Sequence, residues 1–343
     1  MRVPTPRSAD RHAAALPAEP TKRPQRTLQT ALLDWYEQAA RPLRIRTTRE
    51  PWAVLVAEVM AQQTQISRVD AAWAVFLERF PTPHALAEAS PADVLRAWSG
   101  LGYNRRAISL RLAARAIVAE HAGRVPSGIT DLESLPGVGP YTSRAVAALA
   151  FGLPVAAVDT NVHRFVSRSL GRTMTASELQ AAADGLVARH DPATWTHASM
   201  ELGATVCRPK RPDCHVCPLQ RWCASAGGGE STLRVPATSR RRAAAPRHGA
   251  AHAGPRHGAA HAGSPQRGSA DEVGPAFEQT TRWLRGRIVA HLREADDGVW
   301  TPLPASMGSH GSPQIAGAIA ALQREGILEL HADGSVRLPS GRP

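Results

Sequence analysis

Four cysteines fall within seventeen residues, as Cys207-x6-Cys214-x2-Cys217-x5-Cys223, and the remaining chain has none. A disulfide scaffold would distribute its cysteines through a short secreted chain. Here the chain has 343 residues, and its N-terminus mixes Arg2, Arg7, Asp10 and Arg11 with proline and lacks an apolar leader. No secretory signal is expected. Four thiols gathered at one place in a reducing compartment point to a single metal centre. Four-cysteine zinc sites usually come as two Cys-x2-Cys knuckles, and only one such pair is present. Four cysteines also ligate iron–sulfur clusters, so both remain open on residue types alone. His215 lies inside the loop as a bystander, because the cysteines already complete the site. Arg208, Lys210 and Arg211 sit between the first two ligands. A pinned loop bearing three cations suits contact with phosphates.

The overall charge agrees with an anionic partner. Lys and Arg number 41 against 29 Asp and Glu, a net +12. Residues 1–27 carry six basic and two acidic residues, and residues 230–272 carry seven and three. The last 71 residues balance at seven of each. Nucleic acid is the commonest partner of such an excess. A coding bias toward arginine contributes too, since Lys22 and Lys210 are the chain's two lysines. The most apolar stretch, residues 145–158, is broken by Gly152 and Pro154. No membrane span is expected, and a cytoplasmic, nucleoid-associated monomer is.

Four regions follow from composition. Residues 1–27, rich in Pro, Arg and Ala, read as a disordered basic tail. Residues 28–229 read as helical throughout, with Ser90-Pro-Ala-Asp93, Thr130-Asp-Leu-Glu133 and Thr175-Ala-Ser-Glu178 as N-terminal caps. Residues 230–272 are low complexity and hold a perfect tandem nonamer, Pro246 to Gly254 and Pro255 to Gly263. Its histidines are better explained by slippage in a flexible linker than by metal binding. Residues 273–343 form a small unit: a helix over Thr281–Arg293, a second over Ile315–Glu325, and a hairpin turning at Asp333-Gly334. That pattern is winged-helix-like. Its zero net charge favours a docking module over a DNA contact.

Two carboxylates and one turn carry the chemistry. Leu135-Pro-Gly-Val-Gly-Pro-Tyr-Thr142 joins two helices through Gly137, Val138 and Gly139. A tight turn feeding a helix N-terminus presents N–H groups to an anion. Asp159, in Val158-Asp-Thr-Asn-Val162, precedes a helix and reads as an N-cap held ionised and fixed. Glu58 is the one acid in the apolar run Val54–Met60. Burial there would raise its pKa and keep a proton available for general acid work. A high-pKa acid beside an ionised carboxylate is the pairing that glycosidic cleavage uses. Ala61-Gln-Gln-Thr-Gln65 follows with three amides suited to bases.

Together these residues resemble the helix–hairpin–helix DNA glycosylases of the endonuclease III type. The cysteine spacing is similar to their [4Fe–4S] loop. Within them, Glu58 to Gln65, Gly100-Leu-Gly-Tyr103, Leu135 to Gly139, Val158 to Val162 and Glu201-Leu-Gly-Ala204 resemble the adenine DNA glycosylases of the MutY type. The resemblance covers about residues 50–225. It implies an all-α helix–hairpin–helix glycosylase fold with an iron–sulfur loop, acting on double-stranded DNA that contains adenine mispaired with 8-oxoguanine or guanine. It implies Glu58 as the acid that protonates adenine N7 and Asp159 as the stabiliser of the oxocarbenium ion. Gln62, Gln63, Tyr103, the hairpin and the cluster-loop cations would contact DNA, with Gln63 and Tyr103 as wedges and Arg44 near the adenine pocket. The ligands Cys207, Cys214, Cys217 and Cys223 would hold a [4Fe–4S] cluster. Strand-nicking relatives carry Lys where Tyr141 stands. A Schiff base needs an amine, so a monofunctional enzyme is expected, with Tyr141 bonded to Asp159.

Three departures stand out. Asn104 replaces a second Tyr after Tyr103, Leu43 replaces a Trp before Arg44, and no nudix-like domain is recognisable. A thymine or uracil mismatch glycosylase is the main rival reading, and a non-catalytic DNA-binding protein the second. Glu58 argues against the first, because a pyrimidine has no N7, and its pairing with Asp159 against the second.

Overall fold

The computed structural model describes residues 27–226 and 276–341. The expectations for the N-terminal tail and the nonamer linker fall outside these residues. The first part holds α1 (Leu28–Ala39), α2 (Pro51–Ala61), α3 (Ile66–Arg79), α4 (Pro83–Glu88), α5 (Pro91–Ala97) and α6 (Arg105–Glu120). It continues with α7 (Ile129–Ser134), α8 (Pro140–Phe151), α9 (Thr160–Leu170), α10 (Ala176–Leu186) and α11 (Pro192–Thr205). Two short 3-10 turns, Cys214–Val216 and Gln220–Trp222, follow in the cysteine loop.

Local chemistry explains most of these starts. Ser90 accepts from the Asp93 N–H and opens α5 ahead of Pro91. Thr175 and Glu178 form a reciprocal capping box on α10. Glu50 caps α2 through both carboxylate oxygens, on the N–H groups of Trp52 and Ala53. The expected box at Thr130 is not formed. The helix begins at Ile129 behind Gly128, with no side-chain cap. Ile129 and Leu132, three apart, both pack on the core and draw the start back. Glu133 instead accepts from Ser143 Oγ at 3.0 Å and ties α7 to α8.

Two hydrophobic clusters divide the helices. One lies under α2 to α8, around Trp52, Leu55, Phe76, Trp98 and Leu110. The other joins α1, α9, α10 and α11 around Leu32, Phe165 and Trp195, and reaches Leu219 and Trp222 of the cysteine loop. Helix α2 belongs to the first and is apolar on all sides, with Trp52 to Ala57, Val59 and Met60 buried. A helix of that kind sits inside a fold rather than on it.

The C-terminal unit comprises α12 (Thr281–Glu294), α13 (Ser312–Arg324), β1 (Glu329–Leu330) and β2 (Val336–Arg337). The strands pair antiparallel, Glu329 opposite Arg337 and Leu330 opposite Val336. Gly334 takes the left-handed φ of +88° that the turn requires. Thr301 bridges Val336 from the other side. Leu284, Ile288, Val289 and Leu292 of α12 join the same cluster as Trp98 and Leu95. The seam is also polar: Arg293 donates to Leu95 O at 2.9 Å and to Asn104 Oδ1 at 2.8 Å. Arg96 pairs with Asp297, and Ala92 N donates to Pro339 O at 3.0 Å. Asn104, the departure beside Tyr103, is thus spent on docking this unit.

Candidate active site

Three elements bring three side chains together. Glu58 comes from α2, Tyr141 from the first turn of α8, and Asp159 from the N-cap of α9. Burial pushes the Glu58 carboxyl up to about 7, against a hydrogen bond with Tyr141 and with help from the Asp159 charge. Its Oε2 is sealed from solvent and has no hydrogen-bond partner among the described residues. Burial and both carboxylates hold the Tyr141 phenol well above its ordinary value, so it stays protonated. Its hydroxyl also lies 3.7 Å from Met200 Sδ. The hydrogen-bonding partner of Tyr141 is thus Glu58, where the sequence suggested Asp159.

Asp159 is fixed by its own helix. Its Oδ1 accepts from Asn161 N at 2.9 Å and Val162 N at 2.7 Å, and its Oδ2 from Asn161 Nδ2 at 2.8 Å. The Asn161 amide is held in turn, since its Oδ1 accepts from Arg164 Nη2 at 2.8 Å. Arg164 donates to the carbonyls of Gly203 and Cys207. A chain of hydrogen bonds therefore runs from the cysteine loop to the carboxylate. Gly203 lets α11 approach α9 closely: a Cβ there would stand 2.5 Å from Asn161 Cβ and 2.8 Å from its carbonyl oxygen.

Two loops flank this centre. Gln63 and Tyr103 are two of the three described non-glycine residues in the left-handed region, at φ +57° and +46°. Backbone held there costs energy and concentrates at functional sites. Arg106 clamps both loops. It donates to Val59 O and Met60 O at the end of α2, to Thr64 Oγ1, and to Leu101 O and Gly102 O. It lies 5.5 Å from the Tyr103 ring centre. Gln62 turns inward, its Nε2 donating to Thr142 Oγ1 at 3.3 Å, which ties this loop to the hairpin. In the hairpin, Gly137 has φ +82° and packs on Ser109. Gly139 is extended at φ −107°, and open space lies where its Cβ would be. It leaves the N-terminus of α8 uncovered, with Val138 beneath buried.

Cys217 is pushed up to about 11, chiefly by burial and also by the nearby Cys207, Cys223 and Cys214, and burial with Cys207 and Cys214 raises Cys223 as well. Arg168 Nη1 reaches Cys207 Sγ at 3.4 Å. The donor set therefore fits a group that several thiolates hold at once. Among the described residues no group of three or more such ligands is arranged to hold a metal ion. Arg208, Lys210 and Arg211 are exposed on this loop, with Arg208 paired to Asp213 at 2.7 Å. Arg44 pairs with Asp70 on α3, Nε to Oδ2 at 3.6 Å, and does not join the carboxylates. Its neighbour Arg46 is half-buried and, with Arg41, pairs with the buried Glu201. Sequence reasoning missed Arg106, Arg164 and Met200. The one available signal was an arginine three residues past Gly100-Leu-Gly-Tyr103.

Comparisons with known proteins agree with this geometry. Residues 56–189 match the HhH-GPD superfamily of base excision DNA repair proteins. The chain is 36% identical over 331 residues to an adenine DNA glycosylase of Mycobacterium tuberculosis, covering 94% of this chain and 97% of that one. It is 44% identical over 209 residues to an adenine DNA glycosylase of Mycolicibacterium smegmatis, covering 59% of this chain and 71% of the other. A solved structure of a thermostable thymine-DNA glycosylase superposes with a TM-score of 0.55 at 27% identity, over 57% of this chain and 94% of that one. The match to the mycobacterial enzyme runs through the C-terminal unit as well as the helical part, and on it this chain belongs to the adenine DNA glycosylase family.

Proposed function

We propose that the chain excises adenine mispaired with 8-oxoguanine or guanine from double-stranded DNA, as a monofunctional glycosylase. The observation that carries this reading is Glu58, with a carboxyl raised to about 7 beside Tyr141 and Asp159. Glu58 gives its proton to adenine N7, so that the C1′–N9 electron pair leaves on neutral adenine. Asp159, whose oxygens are fixed by three N–H donors, offsets the positive charge growing on the sugar. Glu58, then a carboxylate, takes a proton from the water that adds to C1′. Tyr141 supports Glu58 and supplies no amine. The one lysine between residues 28 and 229, Lys210, is exposed on the cysteine loop, so no imine forms.

Gln63 and Tyr103 act as wedges while the adenine is extruded. The hairpin at Gly137–Gly139 and the cations Arg208, Lys210 and Arg211 hold phosphates. Cys207, Cys214, Cys217 and Cys223 hold a [4Fe–4S] cluster, which when bound stiffens that loop. The C-terminal unit, with its two helices and a hairpin, is winged-helix-like.

An excision assay on A:8-oxoguanine, A:G, T:G and U:G duplexes tests the reading. Release of adenine from the first two, with abasic sites that break under alkali, is the expected result. Release of thymine or uracil with adenine untouched would move the chain to the mismatch pyrimidine enzymes. Purified protein should be brown and carry about four irons per chain; stoichiometric zinc without colour would refute the cluster.

A further inference from the structure

Tyr103 carries a second guanidinium, and this one comes from the C-terminal unit. Arg282, in the first turn of α12, places its Cζ 4.2 Å from the Tyr103 ring centre. It also lies 5.9 Å from the ring of Phe277, which is 60% exposed, while Tyr103 is 38% exposed. Four of the C-terminal unit's seven carboxylates are paired, Glu325 with Arg285, Glu329 with Arg337, Asp297 with Arg96 and Asp333 with His331, while Glu278, Glu294 and Asp296 form no ion pair among the described residues. Among the described residues the exposed Arg282 and Arg287 have no carboxylate partner. Of these two, Arg282 faces the loop that carries Tyr103, and Arg287 lies over Trp283. Arg282 adds nothing to the packing of α12, which buries Leu284, Ile288, Val289 and Leu292. What it does is cover an exposed ring on a left-handed backbone.

We propose that Arg282 is a positioning residue for the Tyr103 wedge, holding its ring for insertion beside the mispair of duplex DNA. This inference rests on the reading of Tyr103 as a wedge. An aromatic ring on a surface loop swings freely, and a planar guanidinium over its face limits that motion.

The test uses the full chain and a duplex with 2-aminopurine beside the mispair, whose fluorescence rises on unstacking. Arg282→Ala should weaken duplex binding about three- to thirty-fold, the span of a cation–π contact, and lower the fluorescence rise. Arg282→Lys should restore only part of both, because it retains the cation but not the stacking plane. The double variant Arg282→Ala/Tyr103→Ala should be no weaker than Tyr103→Ala alone. If Tyr103→Ala abolishes the fluorescence rise but Arg282→Ala leaves binding and fluorescence at wild-type values, the role of Arg282 is refuted and the wedge stands. If Tyr103→Ala changes neither signal, the wedge reading fails and Arg282 falls with it. A full Arg282→Ala effect persisting without Tyr103 would also overturn positioning, leaving a direct phosphate contact.

Discussion

Glu58 shows how one residue's surroundings set an enzyme's pH range. As the proposed general acid, Glu58 must hold its proton, and a carboxyl near 7 starts to lose it at neutrality. Single-turnover excision should be flat below about pH 7 and fall roughly tenfold per unit above it. Glu58→Gln should abolish excision while retaining mispair affinity; a residual rate within about tenfold of wild type would refute the assignment. The same shift acts on stability. The native state binds this proton more tightly than the unfolded chain, so the contribution is full below the unfolded value of 4.5 and is lost as pH rises through about 7. That is about 3 kcal/mol, visible as a pH slope in urea unfolding that Glu58→Gln should lack. Tyr141→Lys tests the neighbouring position: borohydride trapping and strand nicking should appear in the variant and be absent from the native enzyme. Both residues were legible in the sequence, Glu58 as an acid in an apolar run and Tyr141 as a non-amine after the hairpin. The bond between them was not, because it joins side chains 83 positions apart.

At the level of elements, the sequence was readable wherever the cause was local. Caps at Ser90, Thr175 and Asp159 lie within three residues of what they bind. The box at Thr130 failed because tertiary packing of Ile129 outweighed a local preference. Arg106 was illegible for the same reason in reverse: two of its acceptors are 46 and 47 residues away. Gly203 is the element-scale case with the sharpest consequence. Its φ is ordinary, so only the approach of α9 explains the glycine. Gly203→Ala should push the Asn161 backbone away and displace Asp159, costing about 1–3 kcal/mol in stability and far more in activity. Unchanged excision with the helix content intact would show that α9 has room to give.

In the whole molecule, the C-terminal unit is part of the core rather than an appendage. Arg293 is desolvated, and its pKa is lowered by that burial while it serves Leu95 O and Asn104. Arg293→Ala strands both acceptors at the seam and should cost about 1–3 kcal/mol, with faster hydrogen exchange in α5 and α12. Sequence composition suggested a unit over residues 273–343 but could not give its contacts, since these cross nearly 200 positions. The division that matters lies elsewhere. Glu58 stands on a helix of one hydrophobic cluster and Asp159 caps a helix of the other, so the proposed acid and its proposed stabiliser meet only while the two clusters stay packed together. Warming should open that seam before either cluster melts. Catalysis would then fade at temperatures where the helical circular dichroism is still intact, and return on cooling, so that heat switches the enzyme off reversibly well short of denaturing it.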